Sequence, residues 1–136
     1  MLDTKKYQNM LDEGRRRASA LEKKNAPLVK AADDARAISE GLQREVLALQ
    51  RRLTDFEAGQ VDMTDDDYLT ARARVDLLRV KQKRSAETAA AAVDALNAAQ
   101  NTARGELGQL RGEALNAWRL DHHLADEEYR KEWARL

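Results

Sequence analysis

The chain has 136 residues, 24 lysines and arginines against 24 aspartates and glutamates, 35% charged and 4% aromatic residues, one proline and no cysteine. The balanced charge excludes a global field for nucleic acid or an anionic membrane, and the lack of cysteine excludes disulfides, thiolate zinc sites and a thiol nucleophile. Scarce aromatics with abundant Ala, Leu, Arg, Glu and Asp are the bias of long helices and coiled coils.

The first arm, residues 1–58, opens with MLDTKKYQNMLDEGRRR, which has no apolar core of a secretory signal. No apolar run reaches the roughly 18 residues of a membrane span, so a cytoplasmic location or an intracellularly assembled particle is expected. Leu21, Leu28, Ala35, Leu42, Leu49 and Phe56 recur every seven residues, with Tyr7, Gly14 and Met63 on the same count. Ala32, Ile38, Val46 and Leu53 form the second row of this stripe. Pro27 lacks an N–H and disfavours helix at Ala26, but the register persists across it. The reading is one nearly continuous arm kinked at residues 25–28.

Residues 59–64 are the turn. Gly59 suits the left-handed position after a helix, and Thr64 followed by Asp65, Asp66 and Asp67 is an N-cap facing the positive end of a helix dipole. One helix should end near residue 58 and the next begin at about 65.

The second arm, residues 65–136, carries its stripe at Tyr68, Ala71, Val75, Leu78, Ala89, Val93, Leu96, Ala103, Leu107, Leu110, Ala114 and Trp118, interrupted at Gln82 and Ser85. Folding the arms about residues 61 and 62 makes the fold an all-α, long antiparallel helical hairpin, coiled-coil-like. Each pair of facing residue numbers then adds to about 122. Ala31, Ala32, Ala35 and Ala37 fall opposite the alanines of 86–92, so two small-residue surfaces meet. Gly14 falls near Gly108, Leu42 near Val80, Val46 near Leu77, Leu53 near Leu69, and Met1 near residue 121. Gly105, Gly108 and Gly112 share a face, as a groove for a neighbouring backbone within a continuous helix or as a hinge at 105–112. From Leu107 through Leu110, Ala114, Trp118, His122, Ala125, Tyr129 and Trp133 to Leu136 the mean step is about 3.6 residues, that of a straight helix, and residues 118–136 are left as a protruding aromatic tail. A lone hairpin covers one stripe of each helix, so assembly into an oligomeric helical bundle is expected.

Four groups invite a chemical reading. Arg72, Arg74, Arg79, Lys81, Lys83 and Arg84 form a basic block, with a smaller one at Arg15, Arg16 and Arg17. These cations are the nucleic-acid candidates, but they point around the helix and no aromatic is interleaved. His122 and His123 are adjacent and do not chelate together; His122 with Asp126 is at most half a metal site. Asp62, Asp65, Asp66 and Asp67 lack the alternation, glycine and terminal glutamate of a calcium loop. Ser19, Ser39 and Ser85 lie mid-helix, far from either histidine. No enzyme, cofactor or metal is expected.

Trp118, His122, Tyr129 and Trp133 are the partner-binding candidates, because Trp and Tyr bury much area at small entropic cost. The other reading is that the tail closes the bundle end by folding over Tyr7, Met10 and Leu11. The function expected is a non-enzymatic structural or assembly protein: an oligomeric scaffold, adaptor or particle component, a virion component among them. It would act through contacts with itself or a larger protein assembly. The alternative is a nucleic-acid-binding helical protein using segment 72–84.

Overall fold

A computed structural model describes residues 5–122 and 127–136. It contains three helices, α1 (Lys5–Glu57), α2 (Asp65–His122) and α3 (Glu127–Ala134), and no strand among the described residues. No helix is long and apolar enough to cross a membrane. The chain divides into two compact units, Leu28–Ala95 and Met1–Pro27 with Leu96–Leu136.

The unit formed by Leu28–Ala95 is an antiparallel helix pair closed by the expected turn. After α1 the chain adopts a left-handed residue at Gly59, with φ 76°. The Gly59 N–H donates to the Phe56 carbonyl at 3.0 Å and the Gln60 N–H to Asp55 at 2.8 Å, so two end carbonyls that helix geometry leaves unpaired are satisfied. Five residues on, the Thr64 hydroxyl accepts the Asp67 N–H at 3.1 Å and starts α2. Beside this turn Phe56 packs on Tyr68, ring centroids 5.1 Å apart. The Tyr68 hydroxyl donates to Glu57 at 2.7 Å.

Within this pair, α1 turns Ala32, Val46 and Leu53 inward and α2 turns Val75 and Leu78 inward, all buried. The seven-residue count holds: Leu28, Ala35, Leu42, Leu49 and Phe56 are half-buried on the same side of α1. Ile38 departs from expectation. It is 62% exposed, and Ser39 takes the inward position, because the second row keeps strict seven-residue spacing through Ala32, Ser39, Val46 and Leu53. Ala32 is 1% exposed, while Ala89, Ala92 and Val93 are half-buried on α2. Gln82 and Ser85 sit half-buried in the stripe they were expected to interrupt. Leu69, Leu77 and Val80, expected near Leu53, Val46 and Leu42, match those residues in height but face away from α1. Their exposure follows from helix phase: they lie roughly half a turn from the Val75–Leu78 side.

The second unit joins the start of α1, the end of α2 and all of α3. Its core is Tyr7, Leu11, Ala114, Tyr129 and Trp133, flanked by Met10, Leu110, Leu115, Ala117 and Trp118. Leu21 extends the buried side of α1. The second arm is not one helix to its end: α2 stops at His122 and α3 begins at Glu127. The break is not at the glycines, since α2 runs unbroken through Gly105, Gly108 and Gly112. Nothing lies within 4 Å of a β-carbon placed on any of the three, so their face is open and carries no neighbouring backbone.

Two glycines give opposed expectations. Gly41→Ala, mid-helix with open space around its β-position, should raise unfolding stability by about 0.5–1 kcal/mol. Gly59→Ala should lower it by about 1 kcal/mol, because a β-carbon strains the left-handed turn. Urea denaturation followed by circular dichroism measures both; equal effects would contradict the assigned turn.

Candidate functional site

The aromatic end is built by a short helix that could not persist alone. Eight residues fall below the length at which an isolated helix is stable in water. α3 is held by Tyr129 and Trp133, one turn apart and both buried. The Tyr129 hydroxyl donates to the Tyr7 carbonyl at 2.9 Å. Its ring stacks on Trp118 at 5.1 Å, and Tyr7 meets Trp118 edge-on at 4.7 Å. Trp133 lies over Gly14: a β-carbon there would fall 2.5 Å from Cη2 and Cζ3 of the indole. Thus the partner of Gly14 is Trp133, and Gly108 faces open space. Arg15 bonds Glu132 at 2.9 Å, Arg17 bonds Glu106 at 3.2 Å, and Lys6 and Tyr7 both donate to Asp121. The contact of Lys6 and Tyr7 with Asp121 places the start of α1 about one and a half turns from the expected register, which put Met1 there.

This arrangement corrects the protruding tail and matches the other reading, in which the tail closes the bundle end over Tyr7, Met10 and Leu11. Tyr129 and Trp133 are spent on the chain's own first helix, and Trp118 is half-buried against the same cluster. The physical reason is that α3 buries two aromatic rings on Tyr7, Leu11 and Gly14. His122 closes α2, but its side chain, like Asp126, lies outside the described residues. Sequence periodicity continued smoothly through residues 122–129, so it held no sign of the break; the open fit over Gly14 was the one signal.

Burial raises the Tyr129 phenol above its ordinary value of 10.0, while the neighbouring Trp133 indole opposes the rise. Among the described residues the Trp133 N–H has no partner at hydrogen-bonding geometry. A shallow recess of about 250 Å³ lies over Tyr7, Gln8, Leu11, Trp118, Glu128, Tyr129 and Glu132. A second groove of about 430 Å³ runs between α1 and α2 along Glu13, Arg17, Glu106, Gln109, Leu110 and Glu113. Three of its four ions are paired, Arg17 with Glu106 and Glu13 with Arg16 at 2.9 Å. Among the described residues no group of three or more His, Asp or Glu is placed to hold a metal.

The basic candidates are not gathered. Arg74 bonds Glu45 on α1 at 3.1 Å. Arg72 donates to the Tyr68 hydroxyl at 3.1 Å, and that bond is the leading cause that holds its guanidinium above the ordinary pKa. Arg79, Lys81, Lys83 and Arg84 are exposed, with Lys81 roughly opposite Arg79 around the helix. Arg15, Arg16 and Arg17 are each paired with a carboxylate.

The residues that sequence reasoning missed are on the outer side of α2. Leu69, Leu77 and Val80 are 64%, 48% and 51% exposed, and Ala73 lies between them on the same side. Steps of four, four and three residues make them a second apolar stripe, which was legible as a heptad-like spacing in its own right. No family model matches the chain, and no curated protein or solved structure is similar to it.

Two outcomes check the aromatic end. Gly14→Leu should drive Trp133 off α1, seen as a red shift and increased quenching of tryptophan fluorescence with cleavage confined to the C-terminal residues under limited proteolysis; Gly108→Leu should leave both unchanged. Because the folded pKa of Tyr129 is raised, its contribution is complete below pH 10.0 and is lost as pH climbs through the folded value. Tyr129→Phe should therefore cost about 1 kcal/mol at neutral pH, from the lost bond to Tyr7, and flatten the alkaline decline in stability.

Proposed function

We propose that the chain is a non-enzymatic structural or assembly protein, a helical scaffold or adaptor that works through protein contacts and associates with copies of itself. The observation that carries this reading is the apolar exterior of the Leu28–Ala95 unit. Ile38, Leu47, Leu69, Leu77 and Val80 all stand in solvent there while its inner side is already filled. Single exposed apolar residues are ordinary on any protein, but a concentration on one helix pair marks a contact surface.

Light scattering at increasing protein concentration, with and without duplex DNA and single-stranded RNA, tests the proposal. The expected mass rises above that of one chain, and neither nucleic acid nor added salt changes it. A single-chain mass at every concentration, combined with nucleic-acid binding that falls steeply with salt, would replace this reading with the basic-segment alternative.

A further inference from the structure

We propose that residues 65–84 of α2 are an antiparallel self-association surface whose occupant is the same segment of a second copy. This rests on the assembly reading above and names its partner and register. The surface consists of Leu69, Ala73, Leu77 and Val80, which face away from α1 and leave the inner packing of the unit untouched.

The charges beside the stripe identify the partner. Counted from Arg74, Asp65 and Lys83 stand nine residues away in opposite directions, Asp67 and Lys81 seven, and Arg72 and Asp76 two. Each of these three pairs joins an acid to a base, while Asp66, Arg79 and Arg84 have no such mate about Arg74. Asp65 and Lys83 are 18 residues apart, five turns, and lie on one flank. Arg72 and Asp76, one turn apart, share that flank, and Asp67 and Lys81 share the other. A two-fold axis perpendicular to the helix reverses its direction but sets each flank opposite itself. Across such an axis at Arg74, Asp65 meets Lys83 of a second copy, Asp67 meets Lys81, and Arg72 meets Asp76. Each contact occurs twice.

Arg74 is the one cation that would meet its own copy at the axis. Its guanidinium is already bonded to Glu45 at 3.1 Å, which removes most of that repulsion. In the same register Leu69 falls within one residue of the height of Val80 from the second copy, and Leu77 lies between Leu69 and Ala73. The apolar side chains therefore interleave instead of colliding. A parallel arrangement would put Asp65 on Asp65 and Lys83 on Lys83, so the pattern selects both partner and direction.

Twenty residues give roughly 30 Å of helix, a contact at or below the small end of stable interfaces, about 1,200 Å². The association is therefore reversible and concentration-dependent.

The test uses the full chain in sedimentation velocity over a concentration series, with circular dichroism confirming that every variant is helical. Wild type should shift from single-chain to two-chain mass. Leu77→Asp with Val80→Glu should weaken this at least about tenfold. Lys81→Glu with Lys83→Glu puts acid at both ends of the stripe, and Asp65→Lys with Asp67→Lys puts base at both; each variant alone should stay single-chain. Mixed one to one, the two should recover two-chain mass. Failure of the mixture to recover, or wild-type association unaffected by any of these changes, would overturn the α2 contact while leaving self-assembly through another face standing. A wild type that remains single-chain throughout would overturn the contact and the self-association of the proposed function together.

Discussion

Two helices lying side by side share one strip of surface, and that geometric limit governs this chain. In the Leu28–Ala95 unit every buried residue of α1 falls on the seven-residue row through Ala32, and the row through Leu28 is half-buried beside it. The limit explains why Ala32 is almost fully buried while the bulkier Ile38 is not. Burial here is decided by phase before it is decided by hydrophobicity. The alanine-rich stretch of α2 poses no puzzle on this view. Small side chains suit a place where a second small-residue surface approaches, and Ala32 supplies one.

In the other unit the limit is lifted by adding a third helix. α3 contributes little helix energy of its own, and its two aromatic side chains do the anchoring. Gly14 is the complement to Trp133: without a side chain, α1 admits the indole where a β-carbon would fall 2.5 Å from Cη2 and Cζ3. The hydrogen bond from Tyr129 to the Tyr7 carbonyl gives a buried hydroxyl a partner. The flanking ion pairs, Arg15 with Glu132 and Lys6 with Asp121, are solvent-exposed and set orientation more than stability.

Much of this was legible because local chemistry spells it out. Gly59 and Thr64 announce the turn through a left-handed residue and a capping hydroxyl, and both helix bounds fall within about one residue of expectation. The inward stripe of α2 was read correctly from Tyr68 to Trp118, since each of those residues is at least half-buried. What was not legible depends on competition between surfaces. The spacing from Leu107 to Leu136 fits one straight helix as well as two, and only the fit of Trp133 over Gly14 decides between them. Matching residue numbers across the hairpin placed Leu69, Leu77 and Val80 at correct heights but ignored which way they point. The same error hid the outer stripe, the part of the molecule most informative about function.

The proposed contact with other protein rests on an inner strip that is filled and an outer side that still carries leucine and valine, and so it depends on the antiparallel pairing of α1 with α2. Nitroxide labels at positions 31 and 91, in chains diluted with unlabelled protein so that only intramolecular pairs report, measure it most directly. Pairing requires one narrow, short distance, set by helix axes roughly 10 Å apart plus the reach of the two labels. A broad distribution extending toward about 80 Å, the span of two roughly 40 Å helical segments opened about the turn, would contradict it.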